Sequence, residues 1–133
     1  LLALTPFTAD LFARTMTEGT VRNLLAGTGS RIDEAGVALY LRLASDRDHV
    51  DGTLSMMAQW SLDSLTARLP QLGLPVTLIV AEGDKAVPPD TSRDAARLIP
   101  GTRVVSLPTL GHLCHEEDPR TLAEVIRAAL PTT

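Results

Sequence analysis

Val76-Thr77-Leu78-Ile79-Val80-Ala81-Glu82-Gly83-Asp84 is an unbroken apolar, β-rich run that ends in an acid, a glycine and a second acid. Because apolar and polar residues do not alternate, it predicts a strand covered on both faces, as in a parallel sheet. Gly83-Asp84 predicts a turn at the strand's C-terminal end. Open α/β sheets place their ligands at that end, so Asp84 is a candidate functional carboxylate as well as a turn residue.

Downstream the pattern continues as helix, strand, helix. Pro88-Pro89-Asp90 opens a helix carrying Ala95, Ala96 and Ile99, and Pro100-Gly101 stops it. Arg103-Val104-Val105-Ser106-Leu107 predicts the second strand. Asp118-Pro119 supplies an N-cap and a proline at the first helical position, and Leu122, Val125, Ile126, Ala129 and Leu130 predict the buried stripe of a last helix. A short strand-helix-strand crossover should be parallel and right-handed. It therefore sets Asp84 and the Gly111-His112 turn at the same edge of neighbouring strands. There a carboxylate can accept the imidazole N–H, fix its tautomer and stabilise the imidazolium, while the other ring nitrogen takes a proton from a nucleophile or water. Taken singly, Gly83-Asp84 is a turn and a histidine after glycine is structural; the pairing is what raises both. Two strands alone leave their faces and one edge uncovered, so further strands are expected.

Upstream of Leu69-Pro70-Gln71-Leu72-Gly73-Leu74-Pro75 the periodicity is helical. Val37, Tyr40, Leu41 and Ala44 form one stripe, Leu54, Met57 and Ala58 a second, and Leu62, Leu65 and Leu69 a third. Leu11, Phe12 and Met16, then Val21, Leu24 and Leu25, predict two shorter helices parted near Gly19. Gly27-Thr28-Gly29-Ser30 is a break, with Ser30 a turn residue or N-cap and Asp33 the N-cap of the next helix. Residues 8–69 thus read as four or five helices without a strand.

The 133 residues, 44% hydrophobic with both signs of charge, predict a soluble globular domain. A net charge of −4, scattered arginines and Lys85 as the single lysine argue against a nucleic-acid partner, which needs clustered cations. Cys114 alone excludes an intrachain disulfide, and a reducing cytoplasm fits best. No apolar run approaches the roughly 20 residues that span a bilayer, so no transmembrane segment is expected. The apolar start from Leu1 to Phe7 lacks a basic leader and a cleavage site, so it does not read as a signal peptide.

His112, Cys114, His115, Glu116 and Glu117 invite a metal site, but neighbours in one turn diverge and no second cluster supplies the other ligands; no metal or cofactor is expected. Cys114 lacks a positioned base, which argues against a thiol nucleophile. Gly27-Thr28-Gly29-Ser30 lacks the preceding strand and G-K-[ST] ending of a phosphate loop. Met56, Met57 and Trp60 read most simply as helix core. The alternative is that Met57, Gln59 and Trp60 form a soft wall with one polar contact, facing a large flat ligand.

Residues 74–130 resemble the C-terminal segment of the α/β-hydrolase superfamily. Gly83-Asp84-Lys85-Ala86-Val87-Pro88 is a shortened form of its G-x-D-x-x-V-P turn, and Gly111-His112 through Glu117-Asp118-Pro119 matches its G-H-x-x-x-x-E-x-P ending. The resemblance implies Asp84 as triad acid, His112 as catalytic base, and Glu117 and Pro119 as structural residues opening the last helix. It also implies a helical cap in residues 1–70 and the C-terminal part of the core in 71–133. The G-x-S-x-G nucleophile elbow of that family occurs nowhere in the chain, and no initiator Met begins it. The expectation is a C-terminal half that is poorly soluble alone, with the nucleophile upstream. Thr28-Gly29-Ser30-Arg31, Met56-Met57-Ala58-Gln59-Trp60 and Leu107 through Glu117 further resemble the magnesium-chelatase accessory family of bacteriochlorophyll biosynthesis. That resemblance implies assistance to magnesium insertion into a porphyrin, with a separate ATP-driven chelatase complex as partner. The alternative is a generic hydrolase: esterase-like, or dehalogenase- or epoxide-hydrolase-like if the elbow residue is Asp.

Overall fold

The computed structural model of the chain describes residues 6–130. They pack as two compact units. Residues up to Leu25 join Ile32–Leu62 in one, and Ala26–Arg31 join the residues from Asp63 onward in the other. The expected division at residue 70 differs from this one, because a short loop from within the helical stretch belongs to the strand-bearing unit.

The first unit is all helix: α1 (Pro6–Thr15), α2 (Glu18–Gly27, entering the second unit at its end), α3 (Glu34–Ala44) and α4 (Arg47–Ala58). Two aspartates start helices by satisfying backbone donors that have no intrahelical partner. Asp33 accepts from Gly36 N at 2.8 Å, and Asp46 accepts from Asp48 N and His49 N at 2.9 and 3.0 Å. Asp33→Ala is expected to cost about 1 kcal/mol of folding stability, read as a lower urea midpoint at unchanged slope. Ala13 of α1 packs with Val50 of α4, and Leu54 joins them. Val21, Leu25 and Val37 are also buried.

Several expected core residues are not core. Met56, Met57 and Trp60 are 50%, 52% and 64% exposed, and Leu62 and Leu65 of the third stripe are exposed as well. Helical spacing identifies the apolar face of a helix; it does not say whether anything covers that face.

The second unit contains α5 (Asp63–Arg68) and a 3-10 turn at Leu69–Gln71, then β1 (Thr77–Ala81), α6 (Pro89–Leu98), β2 (Arg103–Leu107), α7 (Cys114–Glu117) and α8 (Pro119–Ala129). The strands pair in parallel, Thr77 opposite Arg103 through Ala81 opposite Leu107. α6 packs on both. Val80, Ala81, Ile99 and Leu107 are the buried apolar residues here. Arg103 N–H donates to Val76 O and Glu82 N–H to Leu107 O, so even-numbered β1 residues bond β2. Thr77 and Ile79 therefore turn their backbone groups to the opposite edge, where no described strand pairs.

α8 begins as expected, with the Asp118 side chain accepting from Thr121 N at 3.0 Å and Pro119 at the first position. Its stripe departs from expectation. No α8 residue is buried, Ile126 is 47% exposed and Leu130 62%. Ile126, Ala129 and Leu130 instead line an open cleft with Pro75, Thr77 and Ile79, because two strands are too narrow to cover the helix.

Candidate active site

Each strand delivers one chemical group just past its C-terminal end. The β1 ladder runs on through Glu82 N to Leu107 O, and Gly83 N then donates to Leu110 O at 2.9 Å, holding the two exit turns side by side. His112 Nδ1 lies 2.9 Å from Asp84 Oδ2. The other carboxylate oxygen, Oδ1, accepts from Ala86 N and Val87 N, both at 2.8 Å. The turn thus aims the carboxylate, and the carboxylate assigns the proton to Nδ1, leaving Nε2 as the basic nitrogen. The Asp84 side chain is 15% exposed and that of His112 39%, so the pair is sheltered at the acid and open at the base.

Burial pushes the Asp84 carboxyl up, but the Val87 N–H, the His112 ring and the Ala86 N–H together outweigh it and hold the group below its ordinary range. A depressed folded-state pKa means that the unfolded chain binds the proton first, so stability rises with pH through this window. Asp84 should therefore stabilise fully above its unfolded value of about 4 and lose that contribution as pH falls through the lower folded value. The stability gap between the parent and Asp84→Asn should be widest near neutrality and close under acid, measured by urea unfolding from pH 6 to 3.

Glu82, the other acid of the run, is not the partner of His112. It is paired with Arg93, and the Arg93 and Ser106 hydrogen bonds hold its carboxyl below the ordinary range.

A strap formed by Thr28–Arg31 closes over both turns. Thr28 O accepts from Lys85 N at 3.0 Å and from His112 N at 3.4 Å. Ser30, the buried polar residue of the second unit, accepts from Leu113 N at 2.8 Å through its hydroxyl. Glu117 accepts from Gly111 N at 2.7 Å with one oxygen and from Arg31 N at 3.1 Å with the other. Gly29 has φ +84°, and a Cβ there would collide with Gly83 O; a Cβ on Gly111 would lie 2.5 Å from both Gly29 O and Ser30 N. The strap was not foreseen. Ser30 is neither a free turn residue nor the cap of α3, and Glu117 ties loops together rather than opening α8.

Cys114 is half-buried, and burial together with Glu117 pushes its thiol up, away from the reactive thiolate. His115 Nε2 lies 3.4 Å from the carboxylate of its neighbour Glu116. Among the described residues no three of His, Cys, Asp or Glu converge on a point that could hold a metal.

The first unit has a site of a different kind. Phe12, Tyr40, Leu43, His49, Leu54 and Met57 are among the residues around an almost wholly apolar open cavity of about 330 Å³. Met57 is on its wall. Gln59 and Trp60 are not; Gln59 turns its amide back to Ser55 O at 3.0 Å, and Trp60 is exposed. The structure thus brings Asp84 and His112 together but does not gather Met57, Gln59 and Trp60 around one cavity.

The profile of the alpha/beta hydrolase fold matches residues 5–119. The chain belongs to the α/β-hydrolase fold family. Within curated proteins this α/β-hydrolase chain is 47% identical over 116 residues to the magnesium-chelatase 30 kDa subunit of Rhodobacter capsulatus, covering 86% of the chain and 40% of that protein. It is 27% identical over 85 residues to a putative 2-succinyl-6-hydroxy-2,4-cyclohexadiene-1-carboxylate synthase of Bacillus subtilis (strain 168), covering 64% of the chain and 31% of that protein. The chain therefore spans less than half the length of these relatives. Among solved structures it superposes on a probable hydrolytic enzyme from Pseudomonas aeruginosa PAO1 with TM-score 0.68 at 17% identity, covering 93% of the chain and 48% of that enzyme. An esterase from Exiguobacterium antarcticum gives TM-score 0.67 at 12% identity, with 93% and 47% covered. Both likenesses show the α/β-hydrolase fold alone.

Proposed function

We propose that the chain is the cap and the acid–base portion of an α/β-hydrolase-fold accessory protein that assists magnesium insertion into protoporphyrin in bacteriochlorophyll synthesis. The observation that carries this reading is the 47% identity to the magnesium-chelatase 30 kDa subunit. A match over 116 residues takes in most of both units, and cap sequences vary more than core ones, so agreement there discriminates within a fold that hosts many activities. The remaining chelatase components are the proposed partners. The proposed setting is the cytoplasm, with Cys114 as the single cysteine in its favour; among the described residues no helix is long and apolar enough to cross a membrane. In this reading His112 is a pocket residue, and Met57, Gln59 and Trp60 are candidates to face the macrocycle, with the apolar cavity beside Met57 in favour.

A second reading is favoured by the Asp84–His112 geometry. The 2.9 Å contact and the exposed ring are what a triad acid and base require, which supports hydrolytic turnover. The nucleophile would come from outside these residues; a serine elbow would support ester hydrolysis, an aspartate elbow dehalogenation or epoxide opening. The intact protein should be titrated with protoporphyrin and its magnesium form and assayed with short-chain esters. Tight porphyrin binding without ester turnover supports the accessory reading. Ester turnover abolished by His112→Ala, with no porphyrin bound, overturns it in favour of a hydrolase.

A further inference from the structure

We propose that Ser30 and Glu117 are positioning residues for His112, acting through a strap that fixes the backbone on both sides of the imidazole. His112 stands beyond the end of β2, where ladder hydrogen bonds no longer hold the chain. Its orientation must come from elsewhere, because an acid–base pair works only when held within about 0.5 Å of its productive geometry. Three consecutive backbone donors supply it: Gly111 N–H to Glu117, His112 N–H to Thr28 O, and Leu113 N–H to Ser30 Oγ. None belongs to the sheet. Thr28 O also receives Lys85 N–H, one residue past Asp84, so this carbonyl bridges the acid's turn and the base's turn in addition to the direct bond from Gly83 N–H to Leu110 O. Glu117 closes the arrangement by fastening the strap at Arg31 N with its second oxygen. Ser30 is 5% exposed and its hydroxyl holds the residue after His112; Glu117 holds the residue before it. The chemical meaning of this assignment rests on reading Asp84 and His112 as the proton-handling pair, but its geometry can be read without any turnover.

The test uses the intact protein labelled with 15N-histidine. The low-field Nδ1 proton of His112, assigned by its loss in Asp84→Asn, reports the hydrogen bond to Asp84. In Ser30→Ala and Glu117→Gln, with cooperative unfolding retained, solvent exchange of that proton should accelerate roughly 10-fold, because losing one strap hydrogen bond of ordinary net strength lets the ring part from Asp84 more often. Ser30→Thr, which keeps the hydroxyl, should restore the parent rate. An unchanged Nδ1 proton in both folded variants overturns the positioning role. Absence of the bonded proton in the parent protein instead defeats the Asp84–His112 pairing, a separate failure. Should neither variant fold, amide exchange in the parent decides: Gly111, His112 and Leu113 should be protected relative to Thr109, and exchange as fast as Thr109 overturns the proposal.

Discussion

Gly111→Ala in the intact protein should cost about 3–5 kcal/mol of folding stability, far more than one added methyl normally does. The reason is what the methyl meets. Its nearest neighbours are backbone atoms of Gly29 and Ser30, which cannot swing aside as a flexible side-chain end can. The strap has to lift, and with it go the bonds to Gly111, His112 and Leu113. A melting temperature lower by roughly 10 °C is the expected reading for a protein of this class. Gly52→Ala is the control: nothing lies within 4 Å of its Cβ, and in the interior of α4 alanine should stabilise by about 0.5–1 kcal/mol. Equal stability of the Gly111 and Gly52 variants would show that the strap does not sit as described.

Asp84→Asn should lower any ester turnover of the intact protein by about 10⁴-fold, because an amide in place of the carboxylate favours the wrong imidazole tautomer and cannot stabilise the imidazolium. The Asn oxygen can still accept from Ala86 and Val87, so the turn should persist and the variant should remain folded. Porphyrin affinity, if His112 serves as a pocket residue, should change far less than turnover. Full turnover in a folded Asp84→Asn protein would remove the pair from the chemistry.

The parts of this molecule that were legible in its sequence are those set by local chemistry. Continuous apolar residues announced β1 from Val76 and the strand starts at Thr77; β2 spans the expected Arg103–Leu107. Asp33 and Asp118 were recognisable as caps because a short acceptor before an apolar run has few other uses. Asp84 and His112 could be paired because a short crossover leaves only one way to lay two strands side by side. The strap left no such trace. Ser30 and Leu113 are 83 residues apart, Arg31 and Glu117 86, and a hydroxyl bonded to a remote amide imposes no periodicity on its neighbours. Burial was misjudged for Met57, Trp60 and the α8 stripe for a different reason. Spacing shows which residues share a face, and covering that face is a property of the surrounding fold.

The strap also bears on how this fold can be recombined. Residues 26–31, the end of α2 and the loop after it, lie within the helical stretch in sequence, yet they are structurally part of the strand-bearing unit. A graft that exchanged residues 1–70 wholesale for the cap of another hydrolase would discard Ser30 and the carbonyl of Thr28, and the imported loop would have to recreate contacts encoded on the recipient side. Inheritance of the two units is therefore linked: a viable chimera has its seams at 25/26, 31/32 and 62/63, leaving six residues of the recipient stranded inside donor sequence.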